Sequence, residues 1–289
     1  MGYKLKRTIS LSEIAKKTNL ELKGFDITIN GVGSFFEYEF SELSFTKDLK
    51  GLKLNTALVV DKEATLEHED KVGYLLSENP RLDFIRILSL LESSIGFVTY
   101  DYPSEIHPSV KLGKNVVIED GCHIEAGVII EHNVVIHSGT RIGKNTRIRS
   151  CSSIGSDGFG FERLDDGIPI RFPHLGGVVI GENVEIGSCT TIACGTLSNT
   201  VIDNFVKVDN LVHIAHNCHI KKGAFIIACA ELSGGVIVGE NAWVAPNSCT
   251  HQKVTIGDNS LVGLGAVVTK NVPDNTVFAG NPAKKIRDL

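Results

Sequence analysis

The chain has 289 residues, of which 42% are hydrophobic and 22% charged, so it is long enough for one large or two medium domains. Its net charge is −5 and it has no basic tract. Proteins that bind nucleic acid polymers carry a positively charged patch, so the sequence argues against this class of function. The 29 glycines, single Met and aromatic share of 7% point towards repetitive β structure.

The N-terminal residues Met1 to Arg7 lack the apolar core of a secretory signal. No stretch approaches the roughly 18 consecutive apolar residues that a transmembrane helix needs. The 7 cysteines include no C-x-x-C pair, which favours reduced thiols over disulfides or a zinc cluster. These features predict a cytoplasmic protein without a transmembrane segment.

Residues 1–100 predict a small α/β domain. Ser10 and Glu13 form a capping box that opens a short helix, and Asn79-Pro80 opens a second helix with apolar residues at helical spacing. Strand-like segments lie between them. The domain contains most of the aromatic residues, which either pack in its core or stack on a base or ring: Phe35, Phe36, Tyr38, Phe40 and Phe45.

An aliphatic residue recurs at every sixth position after the first hundred residues. The first series is Ile106, Leu112, Ile118, Ile124, Ile130, Ile136, Ile142, Ile148 and Ile154. The register resumes at Ile180 and, after a shift of four, at Ile202. No helix has this period, whereas a coil of three short strands does. Residues 101–289 therefore predict a parallel β-helix of hexapeptide repeats, with roughly nine coils of about 18 residues.

The period is lost over residues 157–177. This interval is too long for a turn, so the sequence predicts an excursion loop from the β-helix. Long loops on rigid repeat scaffolds are common places for function.

A polar cluster follows in residues 208–219, where His213, His216 and His219 are spaced three apart. Three interpretations are open. They could bind zinc, although three-residue steps around a hexapeptide coil do not bring side chains onto one face. They could be exposed turn histidines. One of them could be a general base, with Asp209 as the carboxylate that orients it.

Gly234 follows His216 by the length of one predicted coil, so it should lie beside His216 on the next coil. Its backbone N–H is not screened by a side chain. A base beside such a donor suits acyl transfer, because the base takes a proton from the nucleophile while the donor stabilises the oxyanion. Direct transfer to an amine needs no Ser or Cys nucleophile.

The segment from Val208-Asp209-Asn210 to His216-Asn217 resembles the active-site signature of the UDP-3-O-acylglucosamine N-acyltransferases of lipid A biosynthesis. Residues 154–161 (IGSDGFGF) and 78–82 (ENPRL) resemble the same family, so the resemblance covers nearly the whole chain. It implies a mainly β fold, a left-handed parallel β-helix of hexapeptide repeats preceded by a small α/β domain, and a homotrimer with active sites between subunits.

The resemblance also implies roles for individual residues. His216 would be the catalytic base, Asp209 its partner and Gly234 the oxyanion donor, while Asp157, Phe159 and Asn210 would contact the substrate. The substrates would be a nucleotide-linked amino sugar and a thioester acyl donor, either acyl-CoA or an acyl-carrier protein. No permanently bound cofactor and no metal are expected.

Three departures from the family pattern stand out. The position of the family's second histidine is occupied by Lys253, and His251 is the nearest histidine. The uridine-binding segment keeps Phe45 and Lys47 but lacks the family's Tyr. We expect Phe45, Lys47 and His251 to take part in substrate binding.

The third departure is the end of the chain. Residues 263–270 and 280–285 resemble the closing coil of coenzyme-A-dependent hexapeptide acetyltransferases, and the helical tail associated with acyl-carrier-protein docking is missing. This segment is either a solvated cap or a donor-binding site. The residues predicted to bind the donor are Gly263, Gly265, Lys270, Asn281 and Lys284.

The sequence thus favours an N-acyltransferase that acts on a nucleotide-linked amino sugar in surface polysaccharide or lipopolysaccharide biosynthesis. The alternative within the family is the lipid A pathway enzyme itself. Two alternatives come from other classes: a zinc hydrolyase like the γ-type carbonic anhydrases, for which His132 and His137 have suggestive spacing, and a non-catalytic β-helix scaffold.

Overall fold

The structure is a computed structural model that describes residues 3–35 and 37–289. Met1, Gly2 and the aromatic Phe36 lie outside the described residues. The chain forms two compact units. The first comprises the described part of Met1–Thr99 together with Gly160–Leu175 and Thr196–Ser198, and the second comprises Tyr100–Phe159, Gly176–Gly195 and Asn199–Leu289.

The first unit is built on a mixed β-sheet. Its elements are β1 (Tyr3–Ser10), α1 (Leu11–Thr18), β2 (Glu21–Gly24), β3 (Thr28–Val32), β4 (Glu42–Phe45), β5 (Thr56–Asp61), β6 (Val72–Ser77) and α2 (Pro80–Ser94). The strand order is β1-β3-β4-β5-β6-β2. Strands β3 to β6 are parallel, and β1 and β2 pair antiparallel at the edges.

Both helices begin where the sequence predicts. Ser10 caps α1 by accepting the Glu13 N–H at 3.1 Å, and Asn79 caps α2 by accepting the Leu82 N–H at 3.3 Å. Pro80 occupies the first turn of α2, where no helical hydrogen bond is lost. The apolar side of α2 is buried, with Phe84 fully inaccessible.

The second unit is a parallel β-helix. The remaining strands of the chain are β7 (Glu105–Ile106), β8 (Lys111–Leu112), β9 (Val117–Ile118), β10 (His123–Ile124), β11 (Ile129–Ile130), β12 (Val135–Ile136), β13 (Arg141–Ile142), β14 (Arg147–Ile148), β15 (Ser153–Ser156), the hairpin strands β16 (Phe161–Arg163) and β17 (Pro169–Arg171), β18 (Val178–Ile180), β19 (Glu185–Ile186), β20 (Thr191–Ala193), β21 (Thr200–Ile202), β22 (Lys207–Val208), β23 (His213–Ile214), β24 (His219–Ile220), β25 (Phe225–Ile226), β26 (Glu231–Leu232), β27 (Ile237–Val238), β28 (Trp243–Val244), β29 (Cys249–Thr250), β30 (Thr255–Ile256), β31 (Leu261–Val262), β32 (Val267–Val268), β33 (Thr276–Ala279) and β34 (Lys284–Asp288).

These coil strands stack into three sheets, which we call the first, second and third faces. The first face runs from β7 through β10 and β13 to β30, and the third runs from β9 through β12 and β15 to β32. The second face runs from β8 through β11 and β14 to β31 and ends on β33 and β34. Each coil therefore contributes one strand to each face.

Stacking explains the period of six. Ile124 pairs with Ile142 on the next coil, and Ile142 pairs with Ile180 on the coil after it, so aliphatic side chains form columns inside the prism. These side chains are at most 2% exposed. Ile106 in the first coil is 40% exposed, because no earlier coil covers it.

The excursion that interrupts the repeat is not an irregular loop throughout. Strands β16 and β17 form an antiparallel hairpin, and residues 160–175 cluster with the first compact unit. The sequence assigned residues 157–177 to the β-helix domain as a loop, and the structure differs because this segment carries apolar side chains. Phe172 is only 3% exposed and packs with the core of the first unit.

Specific contacts hold this hairpin within the first unit. The Phe172 ring lies 6.4 Å from that of Phe84, and the Arg81 guanidinium lies 5.4 Å from the Phe172 ring centroid. Arg81 Nε also donates to Glu162 at 2.7 Å. A cation over an aromatic face, with its charge also paired, stabilises the docked segment.

Neither α1 nor α2, the helices of the described residues, is long and apolar enough to cross a membrane.

Candidate active site

His216 lies in the turn that joins the third face to the first, between β23 and β24. The next residue, Asn217, has a left-handed backbone with φ of 61° and donates its N–H to Thr200 Oγ1 at 2.9 Å. Asn tolerates this conformation better than most residues, because its short polar side chain can hydrogen-bond locally. The turn therefore holds the His216 ring at a defined corner of the prism.

The side chain of Asn217 also determines which His216 nitrogen carries the hydrogen. His216 Nδ1 lies 2.9 Å from Asn217 Oδ1. An amide oxygen only accepts hydrogen bonds, so Nδ1 is the donor in this pair. This contact favours the tautomer in which the Nε2 lone pair is free, the one that a general base would require.

Gly234 lies directly against the His216 ring on the adjacent coil. A Cβ atom at this position would fall 2.7 Å from both Cε1 and Nε2 of His216, a distance that real side chains do not tolerate. Among residues 3–35 and 37–289, no acceptor takes the N–H of Gly234. The basic nitrogen and a backbone donor are therefore side by side, as the one-coil spacing predicts.

A cavity of about 470 Å³ opens beside this pair within the β-helix unit. Its lining residues come from the last segment before the excursion and from three successive coils. They are Phe159, His213, Ala215, His216, Glu231, Ser233, Gly234, Thr250, His251 and Gln252. Most of them are polar, so the cavity suits a hydrogen-bonding ligand.

Hydrogen bonds between neighbouring coils organise the polar lining. His213 Nδ1 lies 2.7 Å from Thr191 Oγ1 on the preceding coil. Ser233 donates its backbone N–H to Thr250 Oγ1 at 3.0 Å, and its hydroxyl lies 3.2 Å from Glu231 Oε1. These contacts hold the side chains in place, which reduces the ordering cost when a ligand binds.

The structure does not bring Asp209 to His216, contrary to the prediction that it orients the base. Asp209 follows β22 and lies at the corner between the second and third faces. A whole side of the coil separates it from His216, roughly 15–20 Å at ~3.3 Å per residue. Asp209 Oδ1 instead accepts the Asn210 N–H at 2.7 Å, and Asn210 Oδ1 accepts the Ser188 N–H at 2.7 Å. Both side chains support the turn.

His219 also points away from a shared site. Its Nε2 lies 3.0 Å from Asp203 Oδ2 on the first face. Within the described ranges, no group of three His, Cys, Asp or Glu side chains is arranged to hold a metal ion. The geometry therefore gives the zinc interpretation of His213, His216 and His219 no support.

The cysteines near the site are not poised as nucleophiles. Cys218 is fully buried and donates its thiol to the Ser233 carbonyl at 3.3 Å. Burial raises the pKa of Cys218 to about 12, and burial together with the Asp157 carboxylate raises the pKa of Cys194 to about 12. Because the thiolate is the reactive form, both groups are inert near neutral pH.

Two residues of the 154–161 motif, Phe159 and Asp157, have different surroundings. Phe159 is 89% exposed and lines the cavity. Asp157 accepts a long hydrogen bond of 3.9 Å from the Cys194 thiol. Of the residues predicted to bind substrate in the β-helix unit, Phe159 and His251 thus border the cavity.

Phe45 and Lys47 belong to the first unit. Phe45 ends β4, and its ring centroid lies 4.9 Å from that of Phe84, so the ring packs against the core of this unit. Lys47 is exposed. Of the two roles that the sequence leaves open for the aromatic residues, Phe45 therefore has the first: it packs in the core.

The predicted donor-binding residues lie in the last coils. Lys270 occupies the same corner as His216, three coils further along, and we call His216, Gly234, Gln252 and Lys270 the His216 column. At ~4.8 Å per coil, Lys270 is about 14 Å from His216 along the prism.

The other four predicted donor residues have structural environments of their own. Gly263 lies where a Cβ would meet Ala279 at 2.8 Å, and Gly265 has a left-handed φ of 63°. Asn281 precedes a cis proline, and Lys284 begins the exposed strand β34. Strands β33 and β34 form the end of the described chain, which has no helix after α2.

Sequence reasoning singled out His213 but missed several other cavity residues: Glu231, Ser233, Thr250 and Gln252. A signal for them existed. The one-coil step that leads from His216 to Gly234 leads again to Gln252, and the same step leads from His213 to Glu231. Asn217, the partner of His216 Nδ1, is its immediate neighbour in the chain.

Comparison with known proteins places this geometry in a family. The model of the bacterial transferase hexapeptide (six repeats) matches residues 103–138 and 121–156. Among solved structures, LpxA from Acinetobacter baumannii is 25% identical with a TM-score of 0.50, covering 63% of this chain and 71% of that one. The fold is thus mainly β, a left-handed parallel β-helix with a small α/β region at its N-terminal side, as the sequence predicts.

Proteins related in sequence align with this chain over nearly its whole length and nearly the whole of their own. The UDP-3-O-acylglucosamine N-acyltransferase of Campylobacter lari is 36% identical over 97% of this chain and 95% of its own length. The enzyme of the same name from Coxiella burnetii is 32% identical over 94% of this chain and 88% of its own. With this identity over nearly the full length of both chains, the chain is an N-acyltransferase and belongs to the UDP-3-O-acylglucosamine N-acyltransferase family.

Proposed function

We propose that this chain transfers an acyl group from a thioester to the amine of UDP-3-O-acylglucosamine, in lipid A biosynthesis. The observation that carries the proposal is the contact between the His216 ring and Gly234, at the wall of a polar cavity. Of the two family activities that the sequence left open, the full-length relatives support this one. The broader assignment to other surface-polysaccharide sugars has no observation in its favour.

The chemistry follows from the two neighbouring groups. The acceptor amine attacks the thioester carbonyl carbon, and His216 Nε2 takes the proton that the nitrogen loses. The carbonyl oxygen becomes an oxyanion, which the Gly234 N–H stabilises by a charge-assisted hydrogen bond. When the tetrahedral intermediate collapses, the carbon–sulfur bond breaks, and His216 returns its proton to the departing thiolate.

The thioester donor is acyl-CoA or an acyl-carrier protein, and neither requires a bound cofactor. The position of Lys270 in the His216 column supports a donor that runs along this corner of the prism, because a lysine can hold a phosphate as a point charge. Gly263, Gly265, Asn281 and Lys284 in the closing coils are the further candidates for this role. Acyl-CoA is the donor that these closing residues favour.

The acceptor and the assembly follow the family resemblance. His251 and Phe159 at the cavity are the candidate contacts for the sugar, and Lys47 in residues 1–100 is a candidate contact for the nucleotide. A homotrimer would cover the open side of the cavity with a second copy of the chain. The 7 cysteines are all free, which supports a reducing compartment such as the cytoplasm.

The test is acyl transfer to UDP-3-O-acylglucosamine, with acyl-CoA and acyl-carrier protein compared as donors. Thiol release and the mass of the N-acylated product are the readouts. Replacing His216 by Ala should lower turnover by about 10²–10⁴-fold, the usual contribution of a general base.

His219→Ala is the matched control, since this histidine lies in the same segment but pairs with Asp203. It should keep near-normal turnover. Normal turnover in His216→Ala, or absence of product with every donor in the wild type, would refute the proposal.

A further inference from the structure

Glu231 is one of the residues that line the cavity. It begins β26 on the third face, directly beside His213 on the preceding coil, and it is three residues before Gly234. Among the residues that line the cavity, Glu231 is the one carboxylate. Its charge is therefore the one formal negative charge in the lining of the cavity.

One hydroxyl group, that of Ser233, holds the Glu231 carboxylate, and no cation among the described residues neutralises it. The Ser233 hydroxyl lies 3.2 Å from Oε1 and 3.4 Å from Oε2. Within the part of the chain that the structure describes, Glu231 forms no ion pair. Acidic side chains on other coils do form them: Glu131 pairs with Arg147 at 2.5 Å, and Glu185 pairs with Arg149 at 3.8 Å.

The neighbouring histidine is already engaged elsewhere. His213 Nδ1 is directed at Thr191 Oγ1, 2.7 Å away on the preceding coil. A half-buried carboxylate held in one orientation, without a cation of its own, is a site prepared for a cationic ligand. The proposed acceptor supplies such a group, since a sugar amine carries a positive charge when it is protonated.

We infer that Glu231 binds the ammonium group of the acceptor amino sugar and selects amines over hydroxyls. This inference rests on the proposed function. The carboxylate accepts a charge-assisted hydrogen bond from the ammonium and thereby holds the nitrogen beside His216 and Gly234. The ammonium first releases one proton to solvent, the resulting amine attacks the thioester, and His216 Nε2 takes the second proton of this nitrogen, while Glu231 stays ionised throughout.

The selectivity has a simple physical reason. An acceptor with a hydroxyl in place of the amine would leave the Glu231 charge uncompensated in a cavity from which the ligand has displaced water. Sites that match a specific polar group reject analogues without it more strongly than apolar pockets reject extra methylenes. Glu231 would therefore contribute to the choice of an N-acyl over an O-acyl product.

The experiment compares the wild type with Glu231→Gln, which keeps the shape and the hydrogen-bonding ability of the side chain but removes its charge. Binding of UDP-3-O-acylglucosamine and of its analogue with a hydroxyl in place of the amine is measured by calorimetry at pH 7. The wild type should bind the amine at least about tenfold more tightly, and Glu231→Gln should lose most of this preference.

Kinetics separates ligand binding from a structural role. In Glu231→Gln the KM for the amino sugar should rise about 10–100-fold, while kcat and the KM for the thioester change little, because uniform binding is lost. Glu231→Asp should restore part of the effect. The control is Glu240→Gln, an exposed turn residue, which should behave as the wild type.

Equal binding of the two ligands by the wild type, or an unchanged preference in Glu231→Gln, would overturn the inference. The binding measurement does not depend on turnover. A wild type that prefers the amine but transfers no acyl group would therefore contradict the proposed function while the role of Glu231 stands.

Discussion

Gly234 offers a sharp test of the site, because its lack of a side chain is what lets the His216 ring occupy its place. Replacing it by Ala adds a Cβ that would lie 2.7 Å from Cε1 and Nε2 of the ring, whereas ordinary contacts begin near 3.4 Å. The ring must therefore move by about 0.7 Å. The backbone of Gly234 is not left-handed, so Ala causes no backbone strain of its own, and the N–H is retained.

The size of the effect follows from this displacement. A misplacement of about 1 Å in a catalytic group costs roughly 10²-fold in rate, which corresponds to about 2.7 kcal/mol of transition-state stabilisation. We expect Gly234→Ala to lower kcat/KM by about 10²-fold while the melting temperature stays within a few degrees of the wild-type value. Initial rates of thiol release and a thermal melt measure the two quantities.

A double-mutant cycle with His216→Ala tests the cause. If Gly234→Ala acts through the ring, it should have little further effect once the ring is gone. The reasoning is refuted if Gly234→Ala keeps the wild-type rate, or if it lowers the rate of the His216→Ala background by the same factor.

Further predictions concern the interior and the excursion. At pH 8 the pKa of about 12 leaves about 10⁻⁴ of the Cys194 and Cys218 thiols ionised, so neither should react with a thiol reagent until the protein unfolds; rapid labelling of either in the native state would contradict this. Ile214→Ala should reduce the free energy of unfolding in urea by about 2–5 kcal/mol, since the side chain is fully buried, whereas Ile237→Ala, 36% exposed, should cost clearly less. Phe172→Ala should cost about 3–5 kcal/mol in the same assay; a loss below ~1 kcal/mol would mean that the hairpin does not pack as described.

The β-helix could be predicted from the sequence because its periodicity is local and repeats many times. Each coil imposes the same requirement, an aliphatic side chain such as Ile124 facing the interior, so the pattern is visible without knowledge of long-range contacts. The docking of residues 160–175 could not be predicted in this way. It depends on Phe172 meeting Phe84 and Arg81, residues far away in the chain, and no periodicity encodes that contact.

The contrast between a regular repeat and an irregular contact also explains which site residues could be placed from the sequence. Gly234 could be placed beside His216 because equivalent positions on neighbouring coils are separated by a constant interval in the sequence. Asp209 was placed beside it because it is near in sequence and because the family resemblance implies this pairing. In a triangular coil, the segment from Asp209 to His216 leads past a whole side to another corner, so sequence proximity misleads. Applied to His213, the one-coil step would have found Glu231.

The His216 column makes the spacing of the proposed site discrete. Lys270 stands three coils from His216, and every coil adds the same ~4.8 Å. Inserting one whole coil between Gln252 and Lys270 would lengthen the distance from His216 to Lys270 by one step and leave both corners intact. A chain built in this way can match a longer or shorter donor by gaining or losing whole coils. The distance then changes only in steps of one coil, and the groups at either end stay the same.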